Sequence, residues 1–203
     1  MSFDVEFFRC FLKQASIEIQ KNEKLLTELD SEIGDSDFGV NISRGFKALD
    51  KVLNSTNEIW ELLDKAGKTI MEEASGTFGT LFGSMLVAMG RISKGKKELT
   101  LKELKIMFEE AIKTVEELGG AKRGQKTFLD VLYPFTENLE EKAQVETVLN
   151  RALKAAEEGM NSTKNMVATI GRASYYGESS RGHLDPGAVA MYLILKGIKD
   201  CLK

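Results

Sequence analysis

With 203 residues, 42% of them hydrophobic, the chain is long enough to bury a sizeable core and is expected to form one domain over residues 1–203. Its formal net charge of −3, from 28 basic and 31 acidic residues, is spread evenly and leaves no basic stripe, which argues against nucleic acid as a partner. No basic-plus-apolar leader opens the chain and no apolar run nears the ~18 residues of a membrane span, so a cytoplasmic protein without membrane contact is expected.

Only two prolines occur, alternating β-type runs are absent, and helical periodicity dominates. A first helix is predicted over about residues 3–29 from Phe7, Phe11, Ala15, Ile19, Leu26 and Leu29. A second opens near Gly39 with Ile42, Phe46 and Leu49, and a third runs from about Asn57 to Glu73. A fourth, from about Thr80 to Ser93, is apolar nearly all round and should be the most buried. Thr100 and Glu103 form a capping box that starts a fifth helix reaching Leu118. A sixth spans about Thr127 to Ala143, a seventh Val145 to Val167 and an eighth Gly187 to Leu202. Cys10 and Cys201 each fall on the apolar face of a helix near one end of the chain; this reads as two reduced core thiols rather than a disulfide.

Helices without strands predict an all-α, eight-helix antiparallel up-down bundle or barrel. In such an array alternate loops share an end. The loops after helices one, three, five and seven (30–39, 75–79, 119–126 and 171–187) are the ones rich in glycine and polar residues, so they should converge on one site.

The first of these loops carries Asp30, Asp35 and Asp37 between Gly34 and Gly39. A solvated turn is the plain reading. The crowding of three carboxylates ahead of a helix N-terminus favours instead a hard cation such as Mg²⁺ shared with phosphate. An EF-hand is excluded, because the sixth position from Asp35 is Val40 and the twelfth is Phe46. Gly76-Thr77-Phe78-Gly79 with Gly83 is either a tight interhelical turn with close packing or a ligand turn. The stretch Gly119–Thr127 misses a Walker A loop by the interposed Gln125 and lacks a preceding strand, although Arg123 and Lys126 remain candidates to face phosphate. Asp185 and Pro186 suit the N-cap and first position of the last helix; His183, the sole histidine, reads as structural, and Arg172 has the planar fork suited to an oxyanion.

Over nearly its full length the chain resembles the nucleotide-binding L subunit of bacterial dihydroxyacetone kinases. The matching blocks are Leu29–Asn41 with Arg44-Gly45-Phe46, Gly76–Gly83, Gly124–Asp130, and above all Gly171–Gly187, with Gly-Arg-Ala-Ser-Tyr followed by Gly-His-x-Asp-Pro-Gly-Ala. The resemblance implies an eight-helix antiparallel barrel. It implies that Asp30, Asp35 and Asp37 hold two Mg²⁺ ions bridging the phosphates of ADP or ATP. The nucleotide would lie among Phe38, Gly39, Val40, Asn41, Thr77, Phe78, Gly119, Phe128, Arg172, Asp185, Pro186 and Gly187, with Arg172 and Lys126 on phosphate and no residue acting as nucleophile. It further implies a dihydroxyacetone-binding K subunit as partner. In the phosphotransferase-coupled type, bound ADP is a cofactor recharged by a phosphohistidine protein; in the other type, ATP exchanges. A homodimer is a further expectation.

This sequence departs from the family at several rim positions. Phe38 stands for a usual His, Phe78 and Thr80 for Ser and Pro, Gln125 for Asp, Ile170 for Lys, and Ser179 for an Arg that Arg181 would replace. An intact metal corner with an altered rim points to a paralogue acting on dihydroxyacetone or a related short ketose. Two other readings stand beside it: a non-catalytic nucleotide-binding relative that regulates a partner, and a plain helical interaction domain.

Overall fold

Asn22 breaks the long first helix that the periodicity predicts. In the computed structural model, which describes residues 2–140 and 143–202, α1 covers Val5–Lys21 and α2 covers Glu23–Ile33. The Asn22 side-chain amide donates to Glu18 O at 2.8 Å, a local bond that competes with the helical ladder. The remaining helices are α3 (Phe38–Ala48), α4 (Ile59–Glu73), α5 (Thr77–Ser93), α6 (Leu101–Gly119), α7 (Leu129–Glu137), α8 (Val145–Ser162) and α9 (Pro186–Lys196). The all-α class is as expected, and among the described residues the eight α-helices become nine through the break at Asn22. A two-residue antiparallel pairing of β1 (Phe3–Asp4) with β2 (Glu98–Leu99) is an addition that no alternating run announced.

Several boundaries differ for local reasons. α5 begins three residues earlier than predicted because Gly76, at φ 91°, supplies the turn into it. α7 is shorter at both ends. Asp130 ties the preceding turn in its own geometry, and Asn138, whose amide donates to Pro134 O, closes the helix. Glu141 and Lys142, within the predicted span of that helix, lie outside the described residues. α8 and α9 each stop early and tighten into 3-10 turns, Thr163–Asn165 and Gly197–Cys201, a common way for a helix to use its last carbonyls. The capping box at the start of α6 forms as read, with Glu103 N donating to Thr100 Oγ1 and Thr100 N to Glu103 Oε2.

Successive helices pack side by side and α9 returns along α1 and α2, closing the ring. One core cluster runs from Phe3 to Cys201, with Phe8, Phe46, Phe82, Phe108 and Phe135 fully buried. α4 and α5 cross closely. A Cβ on Gly67 would sit 2.4 Å from Gly83 O, and a Cβ on Gly83 would sit 2.5 Å from Gly67 O, so only paired glycines admit this approach. The crossing seats α5, whose N-terminus enters the site described below. No described helix is long and apolar enough to cross a membrane.

The two cysteines correct the expectation of free thiols: Cys10 and Cys201 form a disulfide, Cα–Cα 5.7 Å. The reason is the closure of the ring. Gly197 lets the last turn run against α1, where a Cβ would lie 2.9 Å from that of Gln14, and this carries Cys201 opposite Cys10. The link closes a loop with a sequence separation of 191, so it restrains nearly the whole unfolded chain. We expect the Cys10→Ser/Cys201→Ser variant, or the reduced protein, to lose about 2–4 kcal/mol of stability in denaturant titrations while its far-UV spectrum stays unchanged.

Candidate functional site

The first structural element of the site is a corner built on Asp30, in the last turn of α2. Its carboxylate is 7% exposed, and its Oδ2 accepts the amides of Asp37 at 3.1 Å and Phe38 at 3.2 Å. The chain reverses tightly enough for this only because residue 34 is glycine: a Cβ there would lie 2.0 Å from Asp30 Oδ1. Ser36 completes the reversal in left-handed backbone at φ 66°. The turn draws Asp30, Asp35 and Asp37 together, with one oxygen of each lying within 4.8 Å of the others. Three hard oxygen donors at that spacing, two on exposed residues, suit Mg²⁺ or a similar cation that keeps part of its water shell. Arg172 Nη2 is 2.9 Å from Asp35 Oδ2 and offsets part of the crowded charge.

The corner opens into a cavity of about 260 Å³ lined by all four glycine-bearing loops, as the alternation of loops predicts. Its walls include Asp30, Asp35, Asp37, Phe38, Asn41, Thr77, Phe78, Gly119, Lys126, Phe128, Arg172, Asp185, Pro186 and Gly187. Beside the carboxylates the lining includes a run of aromatic rings. Phe78 meets Phe38 edge-on at 5.3 Å and Phe128 at 5.2 Å, and stacks on buried Phe82 at 5.8 Å. The start of α9 borders this wall: Asp185 caps it by accepting Ala188 N at 2.7 Å, Pro186 takes the first helical position, and Gly187 lies beside the rings of Phe78 and Phe128.

Some expected residues sit elsewhere. Gly39 is turned onto α2, where a Cβ would be 2.2 Å from Glu23 O, and Val40 is half-exposed; neither side lines the cavity. Arg123 pairs with Glu137 at 2.6 Å and lies over Tyr133, outside the cavity. Lys126 is at the cavity but only 1% exposed, with its ammonium donating to Thr163 O and His183 O. His183 has a structural partner in Glu32, at 3.3 Å. Arg181 binds Glu178 and Asn165 O, holding the 171–185 loop to the end of α8.

Two contributors escaped the sequence reading. Asp130, 4% exposed, accepts Gly124 N at 2.5 Å and Thr127 N at 2.8 Å and so shapes the turn under Lys126; the Thr127-x-x-Asp130 spacing was its only signal. Tyr176 Oη donates to Gly34 O at 2.9 Å, fastening the long loop to the aspartate corner, a contact no local pattern encodes.

Residues 32–200 match the family of the DAK2 domain, a span that takes in Asp35, Asp37 and the other three loops of the site but begins just after Asp30. The chain belongs to the DAK2 domain family. Among curated DAK2 relatives, it is 38% identical over 177 residues to the ADP-binding subunit DhaL of the PEP-dependent dihydroxyacetone kinase of Escherichia coli, with 84% of each chain covered. It is 34% identical over 207 residues to the corresponding subunit of kinase 2 of Listeria innocua, covering 98% of this chain and 96% of that one. Among solved structures, the dihydroxyacetone kinase of C. freundii shares the fold with a TM-score of 0.73 at 20% identity. That match covers 95% of this chain and about a third (34%) of the C. freundii chain. The same kinase has also been solved with AMP-PNP and Mg²⁺, and matches with a TM-score of 0.72 at 21% identity.

The cap of α9 carries the clearest titration in the site. Burial pushes the Asp185 carboxyl up to about 7, against the downward pull of the Ala188 amide and the Lys126 charge. A raised carboxyl binds a proton in the native state that the unfolded chain has already released. Its contribution to stability is therefore greatest below pH about 4 and declines as pH rises to about 7. In metal-free buffer, Asp185→Asn, which keeps a capping side chain, should flatten the fall in melting temperature between those two pH values.

Proposed function

We propose that this chain is the nucleotide-binding subunit of a dihydroxyacetone kinase, holding an Mg²⁺–adenine nucleotide and passing its terminal phosphoryl group to dihydroxyacetone, or a related short ketose, on a separate K subunit. The observation that carries this reading is the placement of three convergent carboxylates and one guanidinium at one end of a cavity whose other end is aromatic. One end suits a metal-bound polyphosphate and the other a planar base. The relatives support the same assignment, being ADP-binding subunits of PEP-dependent dihydroxyacetone kinases. We favour the phosphotransferase-coupled mode, in which ADP stays bound as a cofactor and is recharged by a phosphohistidine donor. A cytoplasmic location goes with it.

Asp30, Asp35 and Asp37 would hold the metal, two ions in our reading. Such cations supply neutralisation of the polyphosphate charge and of the loose phosphoryl-transfer transition state. The protein's own contribution is positioning. Asp30 is already oriented by the Asp37 and Phe38 amides, so one ligand needs no reorganisation. Arg172 is paired with Asp35, and with Asp35 serving as a metal ligand its planar fork would be available to a phosphate oxygen. The Phe38–Phe78–Phe128 wall excludes water from one side of the cavity and offers ring faces and edges to the base. No side chain is needed as a nucleophile toward phosphorus, since the acceptor hydroxyl belongs to the sugar.

Binding, transfer and substitution measurements test the reading. With Mg²⁺ present, ADP at a hundredfold excess over its dissociation constant should stabilise the protein by about 2.7 kcal/mol, and chelation should remove most of that gain. A kinase subunit must also transfer phosphoryl groups to dihydroxyacetone when mixed with a cognate K subunit; a verified complex without transfer would leave only a regulatory role. Asp37→Asn should weaken Mg-dependent ADP binding beyond the roughly 10–100-fold that loss of an outer-shell partner causes. The metal-free Asp37→Asn fold should be as stable as the parent or more so, because carboxylate crowding is relieved. Unchanged ADP affinity would rule out the metal assignment.

A further inference from the structure

Lys126 is in an environment that an ordinary loop lysine avoids. It is 1% exposed, and its backbone is left-handed at φ 62°, uncommon for a residue with a side chain. A buried ammonium is tolerated only when hydrogen-bonded and paired, and a strained backbone persists only when its surroundings hold it. Here Asp130 pins the turn from below through the amides of Gly124 and Thr127. Above it, Nζ donates to Thr163 O at 2.6 Å, just after α8, and to His183 O at 2.5 Å, two residues before the cap of α9. The strap from His183 to Asp185 is held a second time by Asp185 N, which donates to Thr163 Oγ1 at 3.1 Å. Asp185 then caps α9, and Pro186 and Gly187 border the aromatic end of the cavity. One ammonium thus joins the 124–127 turn, the end of α8 and the start of α9.

We propose that Lys126 is a positioning residue that sets the start of α9, and through it the base-binding end of the cavity, rather than a direct phosphate ligand. Two of its three N–H groups are committed to backbone carbonyls, Thr163 O at the end of α8 and His183 O in the strap. The inference rests on the nucleotide reading above for its ligand, but not for its structural content.

The variant is Lys126→Met, which keeps the apolar stem and removes the donors. In the metal-free full chain, hydrogen exchange at the amides of Asp185, Ala188 and Val189 should speed up at least tenfold, with the amides of α4 and α5 unchanged. With Mg²⁺, the affinities for AMP and ADP should fall by the same factor, tenfold or more. In the transfer assay the ADP concentration that gives half the maximal rate should rise while the rate at saturating ADP stays within twofold of the parent, a split that general destabilisation would not produce. Thr163→Val attacks the strap from the opposite side and leaves Lys126 in place; it should give the same pattern at about threefold, and it serves if Lys126→Met does not fold. A loss at least fivefold larger for ADP than for AMP would make Lys126 a phosphate ligand and overturn the proposal, as would unchanged exchange at the three amides in both variants. If the parent binds neither nucleotide, the functional reading fails by itself, and exchange still decides the role of the strap.

Discussion

The Asp30 carboxylate is the constraint on which the site depends. It stands in the last turn of α2, nearly buried, and binds the two amides that begin α3. This reverses the order of usual helix capping: the acceptor comes from the preceding helix, seven residues upstream, and it locks the angle between α2 and α3. Gly34 exists to let that carboxylate in, and Asp35 and Asp37 are brought beside it as a consequence. Such a corner gathers negative charge as the cost of its geometry. The Arg172 ion pair and the Tyr176 bond to Gly34 O show the long loop before α9 folding back onto the corner and answering that charge.

The cavity has two chemically distinct ends, and Phe38 joins them. Its amide belongs to the aspartate corner and its ring to the aromatic wall. A shift of the carboxylates would move the ring, and a repacking of Phe78 would be felt at the first turn of α3. The close crossing of α4 and α5 at Gly67 and Gly83 gives this arrangement a rigid backing, because it seats the helix that carries Phe78 and Phe82. Flat apolar contact and charge neutralisation are thus both available within a cavity of about 260 Å³.

Much of this was legible in the sequence because it rests on short-range patterns. Helical periodicity located the long helical stretches, α1 and α2 as one, the capping box located the start of α6, and simple alternation of loops placed the four glycine-bearing segments at one end. The aspartate trio stood out because like charges so close together require a reason. What escaped was long-range or depended on backbone strain. The break at Asn22 comes from one side-chain amide, too local for a periodicity to reveal. Asp130 fell inside a predicted helix and Lys126 read as a phosphate contact, since the burial of the Lys126 ammonium is decided by segments of chain 37 and 57 residues away. Arg123 has the same composition signal as Arg172 and a different fate, because Glu137 and Tyr133 capture it on the outer surface. The rim substitutions Phe38 and Phe78 read as departures from a family pattern, and only the fold shows that the two rings pack on each other.

The cysteine pair was misread because each residue looks like core when its own helix is considered alone. Joined, Cys10 and Cys201 fasten the first helix to the last turn, at the end of the bundle away from the carboxylates. Mechanically this makes the molecule a closed hoop rather than a string of rods. Tension applied to the two flanks of the chain would run through the sulfur bridge, and the helices between would bear almost none of it. The loops that line the cavity would keep their shape under a load that would peel open an unfastened bundle.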